Sequence, residues 1–452
     1  MAIRLARTAA LACVALASTL AAAAQAPAHG MSLIRDAEIE DTIRSYAAPL
    51  LEAAGLGEGA VTLHIVNDPS INAFVAGGPN LFLSSGMLAA SEEPGEIIGV
   101  IAHEIGHIAG GHLVRTRDAM ENASTEMILA TVIAAGAIVA GQGEVGSAVL
   151  SGGQAVAQQS FLRYSRAQEE SADQAAIRLL ESTGQSAEGL LRMFQRLEER
   201  ERLSLGDANS YASTHPLTRE RIRFVRDHVA RTGGAVEATP EAVSIAHRRM
   251  VAKLKGFLDS PEETFRTYPD EDRSLEARYA RAIAYYRIPD LEQSLAALDA
   301  LLADYPDDPW FHELKGQVLF ENGRVAQAIE PYGRAVALKE DSALLRLGLA
   351  RAQIETGDAA LIVEAAENLD VASRLEPKEP QHWYQLGIAR GRAGERPASS
   401  LAFAEAAYLR GDAQTALRHA SIAAEGLPYG SASWLRAEDI RNAAEQAMKV
   451  RR

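Results

Sequence analysis

The second part of the chain, from about residue 271, repeats itself, and that repeat limits the possible folds more than any other feature. Small residues recur at Ala282, Gly316, Ala350 and Gly387, in steps of 34, 34 and 37 residues. Gly323 and Gly357 end the first helical pattern of two copies. Ser294, Leu298 and Leu301 follow Ala282; Ala328, Tyr332 and Ala335 follow Gly316; Phe403 and Ala406 follow Gly387. A period of this length is a helix–turn–helix unit that cannot bury its apolar face alone and has to stack on copies of itself. The step of 37 puts three extra residues in the turn of the Ala350 copy.

The unit resembles the tetratricopeptide repeat, most specifically in Trp383-x-x-Leu386-Gly387. The resemblance implies a stack of helix pairs with a concave protein-binding face. Such a stack leaves the preceding 270 residues to form something else, and 452 residues exceed what one core usually serves. A net charge of −15 excludes broad nucleic-acid binding, which needs a basic surface to displace counterions.

Residues 1–26 read as a secretory signal peptide: Arg4 and Arg7, an apolar run through Ala24, then small residues at a cleavage point. Cys13, the one cysteine, lies within it, so the mature chain has no disulfide and a net charge of −17 (−15 − 2). An acidic, cysteine-free exported protein suits a bacterial periplasm.

The first half mixes periods. Asp36–Ala54 is an amphipathic helix with Ile39, Ile43, Ala47 and Leu51 on one face. Val61–Val66 is a strand; Ile71–Ala76 and Leu81–Leu83 are hairpin arms around Gly77-Gly78-Pro79-Asn80. Ser84 or Ser85 caps a helix through Ala90, and Pro94 opens another that runs to about Gly110. Met127–Ala140 is an uncharged run, too short for the roughly twenty residues of a membrane span. It is read as a buried or lid-forming helical hairpin, with peripheral contact to a membrane or partner as the alternative. Thr232–Pro240 is the best linker.

The helix from Pro94 carries His103-Glu104-Ile105-Gly106-His107. His103 and His107 are one turn apart, so both imidazoles leave the same face, as two ligands of a tetrahedral zinc must. Glu104 points partly to the same open side and suits a general base rather than a ligand. A third ligand is needed. Ten residues after His103 stands Leu113, and His112 is expected to face elsewhere on the helix. A better candidate is Glu169, with Asp173 one turn on, available to fix the tautomer of a ligating histidine. A solvated acidic helix face is the competing reading of that pair.

These residues, with "HPLTRER" at 215–221, resemble the zinc endopeptidase family that includes the CAAX prenyl proteases and the HtpX-type heat-shock proteases. The shared pattern is HExxH followed by ExxxD on a later helix. The resemblance implies His103, His107 and Glu169 as ligands of one Zn2+, Glu104 as base and Asp173 as support behind the ligands. It also implies a role for His215, which either plugs the fourth metal position or steadies an oxyanion, and for Arg221, six residues on, as further support behind the ligands. The strand Asn72, Ala73, Phe74 and Val75 is expected to be a sheet edge beside the metal, where an extended substrate adds as a further strand.

The expected fold is mainly α: an α+β zinc metallopeptidase domain with a small β-sheet (27–235), a linker and connecting helix (236–270), and an α-helical tetratricopeptide-repeat solenoid (271–452). Members of the family with this layout imply a periplasmic protease for misfolded or stalled outer-membrane proteins. They further imply a chaperone-like role reaching the β-barrel assembly machinery. The alternative from another class is a non-proteolytic repeat scaffold for the same precursors.

Overall fold

The computed structural model describes residues 32–57, 59–112, 115, 165–203, 215–232 and 239–450. The signal-peptide reading at 1–26 and the apolar run Met127–Ala140 lie outside the described residues. Among the described residues, no helix is long and apolar enough to cross a membrane.

A four-stranded sheet of order β1-β2-β4-β3 comprises β1 (Leu33–Ile34), β2 (Thr62–Val66), β3 (Ala73–Val75) and β4 (Asn80–Ser84). The hairpin β3–β4 pairs Phe74 with Phe82. Its turn works because Gly77 and Gly78 both take positive φ, 64° and 102°, which costs a glycine little. β2 joins β4 in parallel, Ile65 opposite Leu83, and β1 closes the other edge antiparallel to β2.

Helix α1 (Ala37–Ala53) starts at Asp36, whose side chain accepts the Ile39 N–H. α2 (Ser85–Ala90) is capped by Ser84, and α3 (Pro94–Ala109) begins with proline in its first turn. α4 covers 165–182, α5 is Glu188–Leu203 and α6 is Arg219–Thr232. Ile43 and Leu50 of α1, Leu81 and Leu83 of β4, Ile97, Ile101 and Ile105 of α3, Leu180 of α4 and Phe194 of α5 fill one core. α3 and α5 approach closely because glycines meet. A Cβ on Gly189 would lie 2.1 Å from the Gly95 carbonyl carbon, and one on Gly99 would lie 2.7 Å from Leu190 Cβ.

Helix α7 (Glu241–Leu258) lies in the stretch read as linker and connecting helix, and its Met250 and Leu254 belong to the same core as α3. After α8 (Pro261–Thr267) the helix pairs follow: α9 (Leu275–Arg287) with α10 (Leu291–Asp304), α11 (Pro309–Glu321) with α12 (Val325–Leu338), α13 (Ala343–Thr356) with α14 (Ala359–Leu375), α15 (Pro380–Arg392) with α16 (Arg396–Leu409), and α17 (Ala413–Gly426) with α18 (Ala432–Val450). The small positions do what the repeat needs: a Cβ on Gly316 would stand 2.7 Å from the Tyr332 ring, and one on Gly387 2.8 Å from Phe403. Serine hydroxyls recur in register, Ser294 donating to the Ala282 carbonyl (3.0 Å) and Ser399 to that of Gly387 (2.7 Å). The three extra residues of the Ala350 copy lengthen α14 to 17 residues, against 14 in α12, so they are helical rather than in the turn.

The two halves meet through the start of α1. Ala37 packs against the cluster of Tyr332, Leu345 and Leu349. Lys253 of α7 lies 2.8 Å from Asp36, Arg249 lies 2.9 Å from Glu38, and Lys339 lies 2.9 Å from Asp41. The Tyr279 hydroxyl donates to Glu38 (2.8 Å). Arg35 reaches further along the array, to Glu376 (2.7 Å) and Glu379 (2.6 Å).

Candidate metal centre

The buried interior of α3 holds His103, Glu104 and His107 on a helix whose other turns are isoleucine, valine and alanine. Only a close neighbour can bring a carboxylate to that face, and Gly106 permits one: a Cβ there would stand 2.9 Å from the Ala172 carbonyl of α4 and 3.1 Å from Ala175 Cβ. That contact seats Glu169 and Asp173 of α4, which are 3% and 0% exposed, beside the histidines.

His103 Nε2 and His107 Nε2 are 3.1 Å apart. Each lies 3.4 Å from a different oxygen of Glu169. Ligands held about 2.0–2.1 Å from a tetrahedral zinc are spaced by roughly 3.3–3.4 Å, so the three donors fit such an ion. Donor atoms of His103, His107, Glu169 and His215 all lie within 4.8 Å of one another. Glu104 is fully buried, and both its oxygens lack a hydrogen-bond partner among the described residues. An isolated buried carboxylate is expensive, and the His215 ring approaches it, Nε2 to Oε1 3.4 Å.

Behind the donors, His103 Nδ1 approaches Asp173 Oδ1 obliquely at 2.9 Å. Arg221 of α6 donates from Nε to Asp173 Oδ2 (2.7 Å) and from Nη2 to Oδ1 (2.9 Å). Its Nη1 lies 2.7 Å from Glu169 Oε2 and donates to the Pro216 carbonyl, and the guanidinium sits over the Phe194 ring at 5.0 Å. His215 Nδ1 stands 3.1 Å from Glu169 Oε1.

Burial, reinforced by the charge on His103, holds His107 down to about 2, so it presents a neutral ring with a free lone pair. Burial also works against a proton on His103, yet hydrogen bonds with Asp173 and Glu169 outweigh it and raise this group to about 9. Burial would protonate Glu169, but hydrogen bonds from His103 and His215 hold it well below the usual carboxylate range. A cluster that draws a proton onto a fully buried imidazole stabilises positive charge, which is what a divalent cation brings. The donor set and its electrostatics fit a metal ion.

The structure thus brings His103, Glu104, His107, Glu169, Asp173, His215 and Arg221 together. It corrects the expectation for His112, whose Nδ1 lies 3.0 Å from His107 Nδ1 rather than facing away. The chain turns just beyond α3, with Gly111 at φ 63°, and a straight-helix projection from His103 does not foresee that return. Of the expected substrate strand, Ala73, Phe74 and Val75 form β3, an edge that pairs only with β4 among the described residues, and α3 packs against it. Asn72 precedes it; Asn72 and Ala73 are buried, while Phe74 and Val75 are half-buried.

A helix bearing HExxH, packed against a second helix that supplies an acid and an acidic partner, is the build of a metalloprotease. Residues 34–229 match peptidase family M48, and residues 279–344 and 313–363 match the tetratricopeptide repeat. The chain is 26% identical over 404 residues to the beta-barrel assembly-enhancing protease of Yersinia pestis, covering 88% of this chain and 82% of that one. It is 25% identical over 406 residues to the protein of the same name in Escherichia coli K12, covering 88% and 81%. The mitochondrial metalloendopeptidase OMA1 of Schizosaccharomyces pombe is 26% identical over 178 residues, 39% of this chain and 49% of that one.

Proposed function

We propose that this metalloprotease is a periplasmic zinc endopeptidase that cleaves misfolded or stalled outer-membrane proteins and also holds such precursors, or their β-barrel assembly machinery, on its repeats. The observation that carries the reading is the buried Glu104 carboxylate, unpartnered among the described residues, beside three donors spaced for a tetrahedral ion. In this reading residues 27–235 are the catalytic domain, 236–270 connect, and 271–452 are the repeat domain. The leader-like residues 1–26 and the names of the two long relatives support the location and the substrate class.

His103, His107 and Glu169 would hold the ion, which when bound supplies a Lewis acid for the scissile carbonyl and an acidified water. Glu104, with no competing hydrogen bond among the described residues, takes the proton of the attacking water and returns it to the departing amine. Asp173 and Arg221 position the ligands: Asp173 orients His103, and Arg221 fixes both acids of α4. β3, through Asn72–Val75, offers backbone groups to an extended substrate, which selects unfolded segments and reads side chains weakly. His215, between Glu104 and Glu169, holds the enzyme in a latent state until it swings aside.

The test is metal analysis and cleavage of an unfolded protein by the purified mature chain and its Glu104→Gln variant. One zinc per chain in both, with cleavage lost only in the variant, is the expected result. A wild-type protein that purifies without stoichiometric zinc overturns the ligand assignment. Crosslinking in the periplasm with Glu104→Gln then identifies the substrates.

A further inference from the structure

A histidine that gives one ring nitrogen to a metal keeps its hydrogen on the other, and a partner behind the ring sets its tautomer and angle. For His103 that partner is Asp173, itself held by Arg221. For His107 the nitrogen behind the ring is Nδ1, and His112 Nδ1 lies 3.0 Å from it. The two ring planes stand at 81°, with centroids 4.9 Å apart, so the rings meet nitrogen to nitrogen and do not stack. At that distance one nitrogen donates and the other accepts. His107 Nε2 faces His103 Nε2 (3.1 Å) and Glu169 Oε1 (3.4 Å), on the side of the proposed ion. A neutral ring that keeps this lone pair for the ion has its hydrogen on Nδ1, so His112 Nδ1 accepts and the hydrogen of His112 sits on Nε2.

The chain is shaped to bring that ring back. α3 ends at Ala109, and Gly110 and Gly111 follow. Gly111 takes a φ of 63°, which turns the chain and costs a glycine little. A Cβ on Gly110 would stand 2.5 Å from His112 Nε2 and 2.9 Å from its Cδ2, so the imidazole fills the space that a side chain there would need. Gln168 of α4, next to the proposed ligand Glu169, donates to the His112 carbonyl (3.2 Å). The residue is left only 4% exposed. Two glycines and an amide thus hold one imidazole against the back of His107.

We infer that His112 is a positioning residue of the metal centre: it accepts the Nδ1 hydrogen of His107 and fixes that ligand's tautomer and angle, as Asp173 does for His103. This role rests on the zinc reading of the site given above. The two supports differ in charge. Asp173 is a carboxylate matched by Arg221, whereas His112 is an imidazole and adds no negative charge to a pocket that already buries Glu104, Glu169 and Asp173. His103 is therefore the more strongly electron-donating of the two histidine ligands.

The test uses the full mature chain and zinc competition with a chromophoric chelator, so no arm depends on cleavage. His112→Leu should bind zinc about 10–100-fold more weakly than the wild type. Asparagine carries its amide oxygen where histidine carries Nδ1, so His112→Asn should recover most of that loss. Glutamine carries its oxygen one bond further on, and His112→Gln should not recover it. A ring that only filled space would rank these variants by size. In the zinc-loaded wild type, nitrogen–proton correlation spectra of isotope-labelled histidine rings should place the hydrogen of His107 on Nδ1 and that of His112 on Nε2. Wild-type zinc affinity in His112→Leu, an asparagine variant as weak as the leucine one, or a hydrogen on His112 Nδ1 overturns the role and leaves the ligand assignment standing. A wild-type chain that takes up no stoichiometric zinc overturns the ligand assignment and this role together.

Discussion

Arg221 and Asp173 form a two-pronged ion pair, 2.7 and 2.9 Å, in which both groups are almost wholly buried. The arginine comes from α6 and the aspartate from α4, so this pair fixes one helix against the other at the back of the metal site. Arg221→Leu would leave the buried Asp173 with His103 as its remaining neighbour. Such a loss costs about 3–5 kcal/mol in stability, and the slackened ligands should bind zinc roughly 10–100-fold more weakly. Arg221→Lys keeps the charge but loses the fork, and should fall between. Thermal unfolding and competition with a zinc chelator measure both effects; wild-type zinc affinity in Arg221→Leu would remove the support role.

His215 touches the proposed base and the proposed acidic ligand at once. His215→Ala should leave zinc content unchanged and raise cleavage of an unfolded substrate severalfold. Unchanged cleavage would dismiss the latch, and a fall would assign His215 to the developing oxyanion instead.

Gly106 has backbone and side-chain atoms of α4 within 2.9–3.2 Å of where a Cβ would sit. Gly106→Val should push α4 away, costing about 1–3 kcal/mol or more and lengthening the gap from Glu169 to both histidines. A lower melting temperature together with weaker zinc binding is expected, and Gly106→Ala should be milder. Wild-type zinc binding in the valine variant would show that the crossing does not set the ligand spacing.

His247 of α7 is buried against α1 and α2, 3.3 Å from the Tyr46 hydroxyl and 3.2 Å from Ser91 Oγ. Burial holds its pKa down to about 4. The unfolded chain therefore takes up this proton first on acidification, so the stabilising contribution is full above about 6.5 and is lost as the pH falls toward 4. The loss is on the order of 3 kcal/mol. His247→Gln should flatten that slope in urea midpoints measured between those limits; an unaltered slope would move the acid sensitivity elsewhere.

Local pattern carried much of this molecule. The turn spacing of His103 and His107, and of Glu169 and Asp173, placed each pair on one helix face because helix geometry depends only on neighbours. Asp36, Ser84 and Pro94 marked helix starts for the same reason. What escaped were relations across distance. The parallel pairing of β2 with β4 was hidden because two strands separated by a hairpin arm give no local sign of their partner. β1, only two residues long, is too short for alternation to register. No local pattern joins Lys253 to Glu38, more than two hundred positions away. His112 was misjudged because the helix was assumed to continue straight.

Arg35 lies ahead of the first long helix and bonds to acids more than three hundred residues later. Peptidase and solenoid are therefore fastened at several places: by the continuous backbone through α7, by the start of α1 against Tyr279, Tyr332 and Lys339, and by this ionic buckle. A body fastened so cannot swing about a single pivot. Relative movement has to come from the solenoid flexing like a spring between its anchorages, or from the buckle letting go first.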